Sequence, residues 1–418
     1  MKPAILIANP ENRRAGYFAD ACRRRGLPEP LVLPWRDVLR PGYPLAAELA
    51  GGAWLRIESP GEDFQVEREL LRLGSPATVA EGGWPALAEP EAATLADDHG
   101  RLRFQRQWYH GWVAALRSIR TAALTELPMM NPPEEIAVLF DKAATQHRLA
   151  KAGIPVARNL GICRDFDDLR ARMAESRTHR VFLKPCHGSS ASGVIALATN
   201  GRGQWQAVTS AHLTVANGEI RLHNSLRLQS LKDPAAIARL VDAVCRERAL
   251  AERWFPKDSL GGRVYDLRIV VIAGHAAHLV VRTSRSPLTN LHLGNARGDP
   301  TAVRQRLGDA AWHAALRTAE AAAACFPACH YLGVDLMVGT NRRSFRIAEI
   351  NAFGDLLPGI LDHGMDTYEA QLHAWRPGTS AANPRDIGSH TANCFRANGT
   401  LSEDIFLDRI IRVLICFV

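Results

Sequence analysis

The sequence contains no uncharged apolar run of about 18 residues, the length that a helix needs to cross a bilayer. Its first eight residues carry one lysine and an apolar run too short for the core of a signal peptide. Its 8 cysteines are scattered over 418 residues, which is typical of reduced thiols and not of a disulfide framework. These absences predict a cytoplasmic protein with no membrane partner.

Two common nucleotide-binding motifs are also missing. The first apolar run, residues 4–8, is followed by Asn9-Pro10 and not by the Gly-x-Gly-x-x-Gly turn of dinucleotide-binding folds. Lys184 stands before the glycine- and serine-rich segment 186–193, whereas a Walker A loop carries its lysine inside the loop. Neither a Rossmann fold nor a P-loop is therefore expected.

The formal net charge of +8 has two explanations. A basic protein can bind nucleic acid, or its basic groups can form a solvated surface that attracts an anionic substrate. Arginine is abundant along the whole sequence, and no helix-turn-helix or aromatic-rich RNA-binding pattern stands out. We favour the second explanation and do not expect nucleic acid as a partner.

The order of apolar and helical patterns divides the chain into four parts. Over 1–130, strands alternate with helices, one of them predicted over 64–73 and ended by Gly74, which indicates a small parallel α/β domain. Asn131 is predicted to cap a helix that opens an α+β unit over 131–255. A strand-rich unit with one long helix near 301–324 follows over 256–375. Residues 376–418 are predicted to be a linker and an apolar tail, either helix or strand; nothing in the sequence predicts the oligomeric state.

The segment from Val181 to Val194 is the first candidate for chemistry. It predicts a strand, a small flexible loop and another strand, with Lys184 at the end of the first strand. A lysine there can contact phosphates, and Gly188, Ser189, Ser190 and Gly193 let backbone N–H groups approach phosphate oxygens. The alternative is a flexible hairpin without a ligand.

The second candidate is a pair of strands near the end of the predicted strand-rich unit. Glu349 and Asn351 are two residues apart, so on a strand they share a face, and Asp335 lies on the preceding strand of an apparent hairpin. Two carboxylates and an amide oxygen, with waters and phosphate oxygens, suit one or two Mg²⁺ ions, or Mn²⁺. The alternative is a set of polar surface positions. Taken together, the two segments predict a site for ATP and magnesium.

In combination these motifs resemble those of the ATP-grasp superfamily, closest to the carboxylate–amine ligase branch with glutathione synthetases and ribosomal-protein glutamate ligases. The resemblance covers roughly residues 131–375, and the order and spacing of four motifs agree with it. They are Asp141-Lys142 with Ala152–Val156, Lys184-Pro185 with its loop, the hinge-like segment 252–257, and Gly333-Val334-Asp335 with Glu349-Ile350-Asn351. The resemblance implies an ATP-grasp fold preceded by a small parallel α/β domain.

The resemblance also implies a role for each candidate residue. ATP would be bound by Lys142, Lys184, Gly188, Ser189, Ser190, Gly193 and Glu252, with Glu252 on the ribose, and the metal by Asp335, Glu349 and Asn351. Arg268, Arg282 and Asn290 would be the catalytic residues around the γ-phosphate and an acyl phosphate, with strand-edge salt bridges as the alternative for the two arginines.

Three departures from the family pattern affect the lid and the acceptor side. Ala191 replaces a frequent glycine, which is expected to stiffen the loop slightly. Leu288 and Leu293 stand where ribosomal-protein ligases often carry arginines, so the acceptor is not that family's acceptor by default. Asp355 is expected to cap the turn after Asn351, with contact to a substrate amine as the alternative.

The implied activity is ATP- and Mg²⁺-dependent ligation. A small-molecule or peptide carboxylate would be activated as an acyl phosphate and attacked by an amine, giving ADP and phosphate. One alternative is a phosphotransferase on the same scaffold, which would leave the acceptor phosphorylated. The other is a non-catalytic protein that binds nucleotides or nucleic acid, which the net charge of +8 keeps open.

Overall fold

The structure is a computed structural model that describes residues 2–123, 127–216, 219–354 and 357–375. Asp355 and the predicted linker and tail, 376–418, lie outside the described residues. Three β-sheets carry the chain's strands in this described part. None of its described helices is long and apolar enough to cross a membrane.

The first sheet has three parallel strands in the order β2-β1-β3. It is formed by β1 (Ala4–Ala8), β2 (Leu31–Pro34) and β3 (Trp54–Ile57). The helices of this region are α1 (Arg13–Arg24), α2 (Trp35–Val38), α3 (Leu45–Ala50), α4 (Phe64–Glu81), α5 (Glu89–Ala93) and α6 (Gln105–Ala122). Helices therefore alternate with parallel strands, as the sequence predicts.

Helix α4 corrects one prediction, because it continues through Gly74 to Glu81. Gly74 lies where α4 crosses α6, and a Cβ atom on it would stand 1.9 Å from the carbonyl oxygen of Gln107. A Cβ on Gly111 of α6 would stand 1.8 Å from the carbonyl oxygen of Leu70. Gly74 thus permits close helix packing and does not end the helix.

Asn131 is not the helix cap that the sequence predicts. Helix α7 (Pro133–Leu139) begins after Pro132, which makes no side-chain cap. The buried amide of Asn131 instead donates to the carbonyl oxygens of Tyr331, at 2.9 Å, and Ala352, at 2.5 Å. Its oxygen accepts from the backbone N–H of His330 at 3.0 Å. Asn131 therefore joins the region after the first sheet to the third sheet.

The second sheet has six antiparallel strands in the order β4-β9-β5-β6-β7-β8. They are β4 (Asn159–Cys163), β5 (Arg180–Pro185), β6 (Ile195–Thr199), β7 (Trp205–Ala216), β8 (Glu219–Leu231) and β9 (Ala249–Arg253). Helix α8 (Lys142–Lys151) precedes the sheet, and α9 (Phe166–Glu175) and α10 (Pro234–Cys245) pack on it around their own apolar core.

Part of the chain before α6 docks on this second sheet. The backbone N–H of Leu102 donates to Leu222 of β8, and the N–H of Asn224 donates to Gly100, both at 2.8 Å. The Leu102 side chain is 3% exposed and belongs to the apolar core of the second sheet. We call residues 100–102 the docking segment.

The third sheet has six strands in the order β13-β12-β11-β14-β15, with β10 paired to β11. They are β10 (Ser259–Leu260), β11 (Arg263–Ile272), β12 (His275–Ser284), β13 (Ala296–Gly298), β14 (Tyr331–Val338) and β15 (Phe345–Asn351). The long helix predicted near 301–324 is two helices, α11 (Pro300–Leu307) and α12 (Asp309–Ala323), separated by Gly308 with φ 79°. Helix α13 (Thr367–Ala374) ends the described chain.

Alternation along the strands gives the third sheet two different faces. One face is apolar throughout and packs into the largest core, with residues such as Leu267, Ile269, Val334 and Leu336. The opposite face carries Asp266, Arg268, Arg282 and Asp335 at one end. At its other end it carries apolar residues such as Val270, Val280 and Tyr331. The charged end of this face holds the candidate site.

Candidate active site

Strand register brings the charged residues of the third sheet into two rows. Asp335 on β14 pairs with Arg268 on one side and with Glu349 on the other, as the predicted hairpin requires. Two residues along β11, Asp266 pairs with Arg282 of β12. Side chains at these positions point to one face of the sheet, so the rows lie next to each other.

Asp335 is held by both arginines. Its carboxylate accepts from Nε of Arg268 and, at 3.1 Å, from a second nitrogen of the same guanidinium. A nitrogen of Arg282 lies 3.1 Å from the same carboxylate, while Nε of Arg282 donates to Asp266 at 2.7 Å. Burial disfavours the charged form of Arg282, but Asp266 and Asp335 outweigh it and raise its pKa above the ordinary value.

Glu349 faces the first lysine. Nζ of Lys142 lies 3.2 Å from Oε1 of Glu349 and also donates to the carbonyl oxygen of Gly188. Burial alone would raise the pKa of Glu349, but Lys142, Lys184 and Arg268 lower it below its ordinary value. Glu349 is therefore an ionised carboxylate at neutral pH.

The second lysine, Lys184, is paired within the second sheet. It is the last residue but one of β5 and donates to Oε2 of Glu252 on the neighbouring β9 at 2.7 Å. Burial opposes the charged form of Lys184, but Glu252 outweighs this and raises its pKa. The side chain of Glu252 is 5% exposed, so this ion pair with Lys184 is largely shielded from water.

Residues 186–193, which we call the Gly/Ser loop, form a tight turn after Lys184. Ser190 and Ala191 have φ of 52° and 61°, in the left-handed region that costs a residue with a Cβ atom about 1 kcal/mol. The hydroxyl oxygens of Ser189 and Ser192 are buried and have no hydrogen-bond partner among the described residues. Buried hydroxyls normally have partners, so these two are available to a ligand that carries hydrogen-bonding groups.

A single cleft between the second and third sheets gathers many of the predicted residues. Its lining includes Lys142, Lys184, Gly188, Glu252, Arg282, Asn290, Asp335 and Glu349. The other predicted residues, Ser189, Ser190, Gly193, Arg268 and Asn351, flank these on the same loop and strands. The apolar part of the lining comes from Ala157, Phe182, Val194, Phe255, Pro287, Leu288 and Met337. The lining of the cleft thus combines charged side chains with apolar ones.

Two predicted residues make local contacts. The side-chain oxygen of Asn290 accepts from the backbone N–H of His292 at 2.9 Å and so caps a short 3-10 turn, Leu291–Leu293. The amide of Asn351 donates to the carbonyl oxygen of Gly333 at 3.3 Å. These contacts hold the loop and the strand end beside the cleft, and they leave the side-chain oxygen of Asn351 as the atom suited to a cation.

The cleft also contains a cluster that sequence reasoning missed, formed by Lys257, Asp266 and Thr289. Nζ of Lys257 donates to the Thr289 hydroxyl at 2.9 Å and lies 3.8 Å from Asp266, which accepts from the same hydroxyl. Burial lowers the pKa of Lys257 to about 8, against the attraction of Asp266. The spacing of Asp266 and Arg268, two apart on a strand, is the signal that could have identified Asp266.

The donor set near β14 and β15 suits a hard cation that keeps other ligands. No group of three or more His, Cys, Asp or Glu in the described chain could hold a metal ion. Asp335 and Glu349 supply two carboxylates, and Mg²⁺ is commonly bound by one or two carboxylates together with substrate phosphates. The residues therefore fit a magnesium ion that arrives with a polyphosphate.

Comparison with known proteins gives similarity at the level of structure alone. No model of a known protein family matches the chain, and no curated protein matches it. A crystal structure of the D-cycloserine synthetase DcsG is similar over 89% of this chain and 98% of that chain, with 14% identity and a TM-score of 0.50.

Two further structures are similar to a comparable degree. The ADP complex of purK, an N5-carboxyaminoimidazole ribonucleotide synthetase, has 14% identity and a TM-score of 0.51, covering 89% of this chain and 76% of that one. The N5-carboxyaminoimidazole synthase of Aspergillus clavatus, with ADP and 5-aminoimidazole ribonucleotide, has 12% identity and a TM-score of 0.50, covering 91% and 79%. At such identities the comparison concerns the fold, and the chain has the ATP-grasp fold that its motifs predict.

Proposed function

We propose that the protein is an ATP- and Mg²⁺-dependent ligase that joins a carboxylate to an amine and releases ADP and phosphate. The observation that carries the proposal is the single cleft, in which two lysines and a loop with unpartnered hydroxyls face two carboxylates and two arginines across two sheets. Phosphoryl transfer needs mainly positioning and charge stabilisation, which such a cleft supplies.

In the proposed binding mode, the nucleotide base packs against apolar lining residues such as Phe182, Phe255 and Met337. Its phosphates reach Lys142, Lys184 and the Gly/Ser loop, where Ser189 and Ser192 gain the hydrogen-bond partners that they lack. Glu252, which accepts from Lys184 at 2.7 Å, would bind the ribose.

Asp335, Glu349 and Asn351 would hold magnesium, which supplies positive charge to the phosphates when bound. For this to happen Asp335 and Glu349 exchange their present partners, Arg268, Arg282 and Lys142. The freed guanidinium and ammonium groups then face the phosphate oxygens. The protein's own charges are unchanged, and only their pairing differs.

The reaction takes two displacements. A carboxylate oxygen of the first substrate attacks the γ-phosphorus, and the bond from phosphorus to the β-phosphate oxygen breaks, leaving ADP and an acyl phosphate. The nitrogen of the second substrate then attacks the acyl carbon, the bond to phosphate breaks, and the nitrogen loses a proton. Arg268, Arg282 and Asn290 surround the transferred group, and closure of the Gly/Ser loop excludes water that would hydrolyse the intermediate.

The proposal is tested by thermal unfolding with ATP, with and without Mg²⁺. A ligand that binds only the folded state stabilises it by about 2.7 kcal/mol at a hundred times its dissociation constant. We expect a magnesium-dependent rise in the Tm of the wild type that Glu349→Gln loses. Glu175→Gln, a change at an exposed glutamate on α9, is the matched control and should keep the rise.

Two results would contradict the proposal: a wild type that does not respond to Mg-ATP, or a Glu349→Gln variant that responds as the wild type does. Product analysis then separates ligation from phosphotransfer. A ligase releases phosphate and ADP and forms an amide, whereas a phosphotransferase yields ADP and a phosphorylated acceptor.

A further inference from the structure

A second place in the molecule has the form of a ligand site. In an open parallel sheet, ligands bind outside the carboxyl ends of the strands at the point where the strand order changes direction. The order β2-β1-β3 puts that point between β1 and β3. The loops that leave these strands are tied together, because the buried side chain of Asn9 donates to the carbonyl oxygens of Pro60 and Gly61, at 3.0 and 2.8 Å.

Opposite charges meet at this point. Glu58 directly follows β3, and Arg14 lies in the first turn of α1, which follows β1. A nitrogen of Arg14 stands 3.7 Å from Oε2 of Glu58, which is longer than a charge-assisted hydrogen bond. We call the place where the ends of β1 and β3 meet these two side chains the switch-point crevice.

Of the two charged residues, Glu58 is the one that is buried with an incomplete set of hydrogen bonds. Its side chain is 1% exposed, and Oε2 has no hydrogen-bond partner among the described residues. The other oxygen, Oε1, accepts from Arg56 at 2.8 Å and from the Tyr368 hydroxyl at 3.4 Å. Leaving a buried acceptor unsatisfied costs about 1–3 kcal/mol, more for a charged group, so a donor is missing from the crevice.

The other side of the crevice adds a second unsatisfied group. The hydroxyl of Tyr331 is buried and has no hydrogen-bond partner in the described chain. Its ring lies 4.4 Å from the guanidinium carbon of Arg56, which in turn contacts Glu58. Arg14, by contrast, is 22% exposed and already donates to the carbonyl oxygen of Phe353 at 3.1 Å. The buried end of the crevice therefore lacks partners and its rim is accessible.

The crevice is connected with the catalytic cleft through β14. Tyr331, Gly333 and Asp335 share one face of this strand, and four residues span about 13 Å. Between them the backbone of Gly354 crosses over Gly333, where a Cβ atom would lie 3.0 Å from its carbonyl oxygen. The turn that ends at Gly354 thus stands between the two sites, with Arg14 bonded to its Phe353.

From this arrangement we propose that the switch-point crevice binds the α-amino-acid end of one substrate, its carboxylate on Arg14 and its ammonium on Glu58. A zwitterion inserted between the two groups makes a charge-assisted bond to each of them. A simple anion would be attracted by Arg14 but repelled by Glu58, and a simple cation would be attracted by Glu58 but repelled by Arg14. This assignment rests on the proposed ligase function, because it names the class of compound that the ligase uses.

The distance between the crevice and the catalytic cleft restricts the length of that compound. Tyr331, at the buried end of the crevice, is four residues from Asp335 on β14, about 13 Å along the strand, so α-groups held in the crevice are too far from the cleft to react there. The group that reacts is therefore a second carboxylate or amine further along the substrate. The compound is an α-amino acid with an extended side chain that carries this second group.

The experiment measures the Tm of the protein in Mg-ATP with a panel of free L- and D-amino acids, each tested singly. We expect at least one member with a second carboxyl or amino group to raise the Tm of the wild type. Arg14→Met should weaken the binding of that amino acid by about 10- to 100-fold, as the loss of one charged hydrogen bond predicts. Arg14→Lys should restore part of the affinity, and Arg13→Met, at an exposed neighbour on α1, should have no effect.

The outcomes separate this proposal from the function on which it rests. If the wild type responds to Mg-ATP but to no amino acid, the crevice proposal is overturned and the nucleotide site stands. The same holds if Arg14→Met binds the amino acid as tightly as Arg13→Met does. If Arg14→Met instead loses the response to Mg-ATP as well, Arg14 is structural and the proposal fails. A wild type that does not respond to Mg-ATP contradicts the proposed function itself.

Discussion

The second and third sheets enclose one cleft, but they differ in how fully their polar groups are already paired in the ligand-free protein. On the second sheet, Lys184 has a single hydrogen-bonded acid, Glu252, and the buried hydroxyls of Ser189 and Ser192 have no partner in the described structure. On the third sheet, the carboxylates of Asp335 and Asp266 are already shared among buried cations. A ligand adds contacts on the second sheet, whereas on the third it must replace contacts that exist.

This difference separates two ways of building affinity. Unsatisfied groups raise the energy of the empty protein and make binding more favourable, because the ligand removes a desolvation cost already present. A satisfied network keeps the empty protein stable and makes binding conditional on a partner that carries both charges, such as a metal with a phosphate. The following predictions test whether the two sheets divide the work in this way, beginning with the largest effect.

Asp335→Asn should lower the free energy of unfolding by about 3–5 kcal/mol, the usual cost of removing one partner of a buried ion pair. The change keeps the side-chain shape but removes the carboxylate that Arg268 and Arg282 share. Chemical denaturation measures it. Asp309→Asn, in an exposed pair with Arg304, is the control and should change stability by less than about 1 kcal/mol. Equal effects at the two sites would contradict a network on the third sheet.

Lys184→Met should destabilise the protein by about 3 kcal/mol, because it leaves the buried Glu252 without its hydrogen-bonded partner. Adding Glu252→Gln should recover at least half of this loss, since the pair is then replaced by neutral groups. Denaturation of both single variants and the double variant gives the coupling energy. A double variant as unstable as the sum of the single ones would show that the pair is not the isolated unit that the comparison requires.

The burial of Lys257 predicts how the stability of the protein depends on pH. Burial lowers its folded pKa to about 8, below that of the unfolded chain, so the unfolded state binds more protons between these values. The stability of the wild type relative to Lys257→Met should therefore rise with pH, by about 2 kcal/mol between pH 7 and 10. Unfolding curves across this range measure it, and a difference that does not change with pH would mean that the amine is not desolvated.

Ser189→Ala with Ser192→Ala should have the smallest effect on the ligand-free protein. Removing two buried hydroxyls without partners should leave the free energy of unfolding unchanged or raise it by about 1 kcal/mol. The stabilisation by Mg-ATP should decrease, because the phosphates lose two donors. Ser176→Ala serves as the control, because it removes a hydroxyl that donates to the backbone carbonyl oxygen of Arg172 at 2.7 Å. Clear destabilisation without ligand would show that the two hydroxyls have partners after all.

Patterns along the chain were sufficient to predict the fold class and several of the residues that line the cleft. Period-two alternation placed Asp335 and Glu349 opposite each other, and a lysine before small residues placed Lys184 at the Gly/Ser loop. These are local patterns, or pairs within one hairpin, so the sequence spacing determines the geometry. The roles of these residues stay predictions until a ligand is bound.

Three of the failures of prediction have one physical cause, which is contact between distant segments. Gly74 reads as a helix end until α6 is seen packed against it, and Asn131 reads as a cap until its bonds to Tyr331 and Ala352 are seen. Lys257 lies beside Asp266 and Thr289 only after β10 and β11 have paired. No local pattern contains these partners, and local propensity yields to them.

The docking segment has a consequence for anyone who divides this chain. A fragment that begins at residue 131 lacks Leu102, so the apolar core of the second sheet gains a hole of leucine size. It also loses the two backbone hydrogen bonds at Leu222 and Asn224, which exposes the edge of β8 to pairing with other chains. Such a fragment is expected to aggregate, whereas a cut before residue 98 would keep the edge covered.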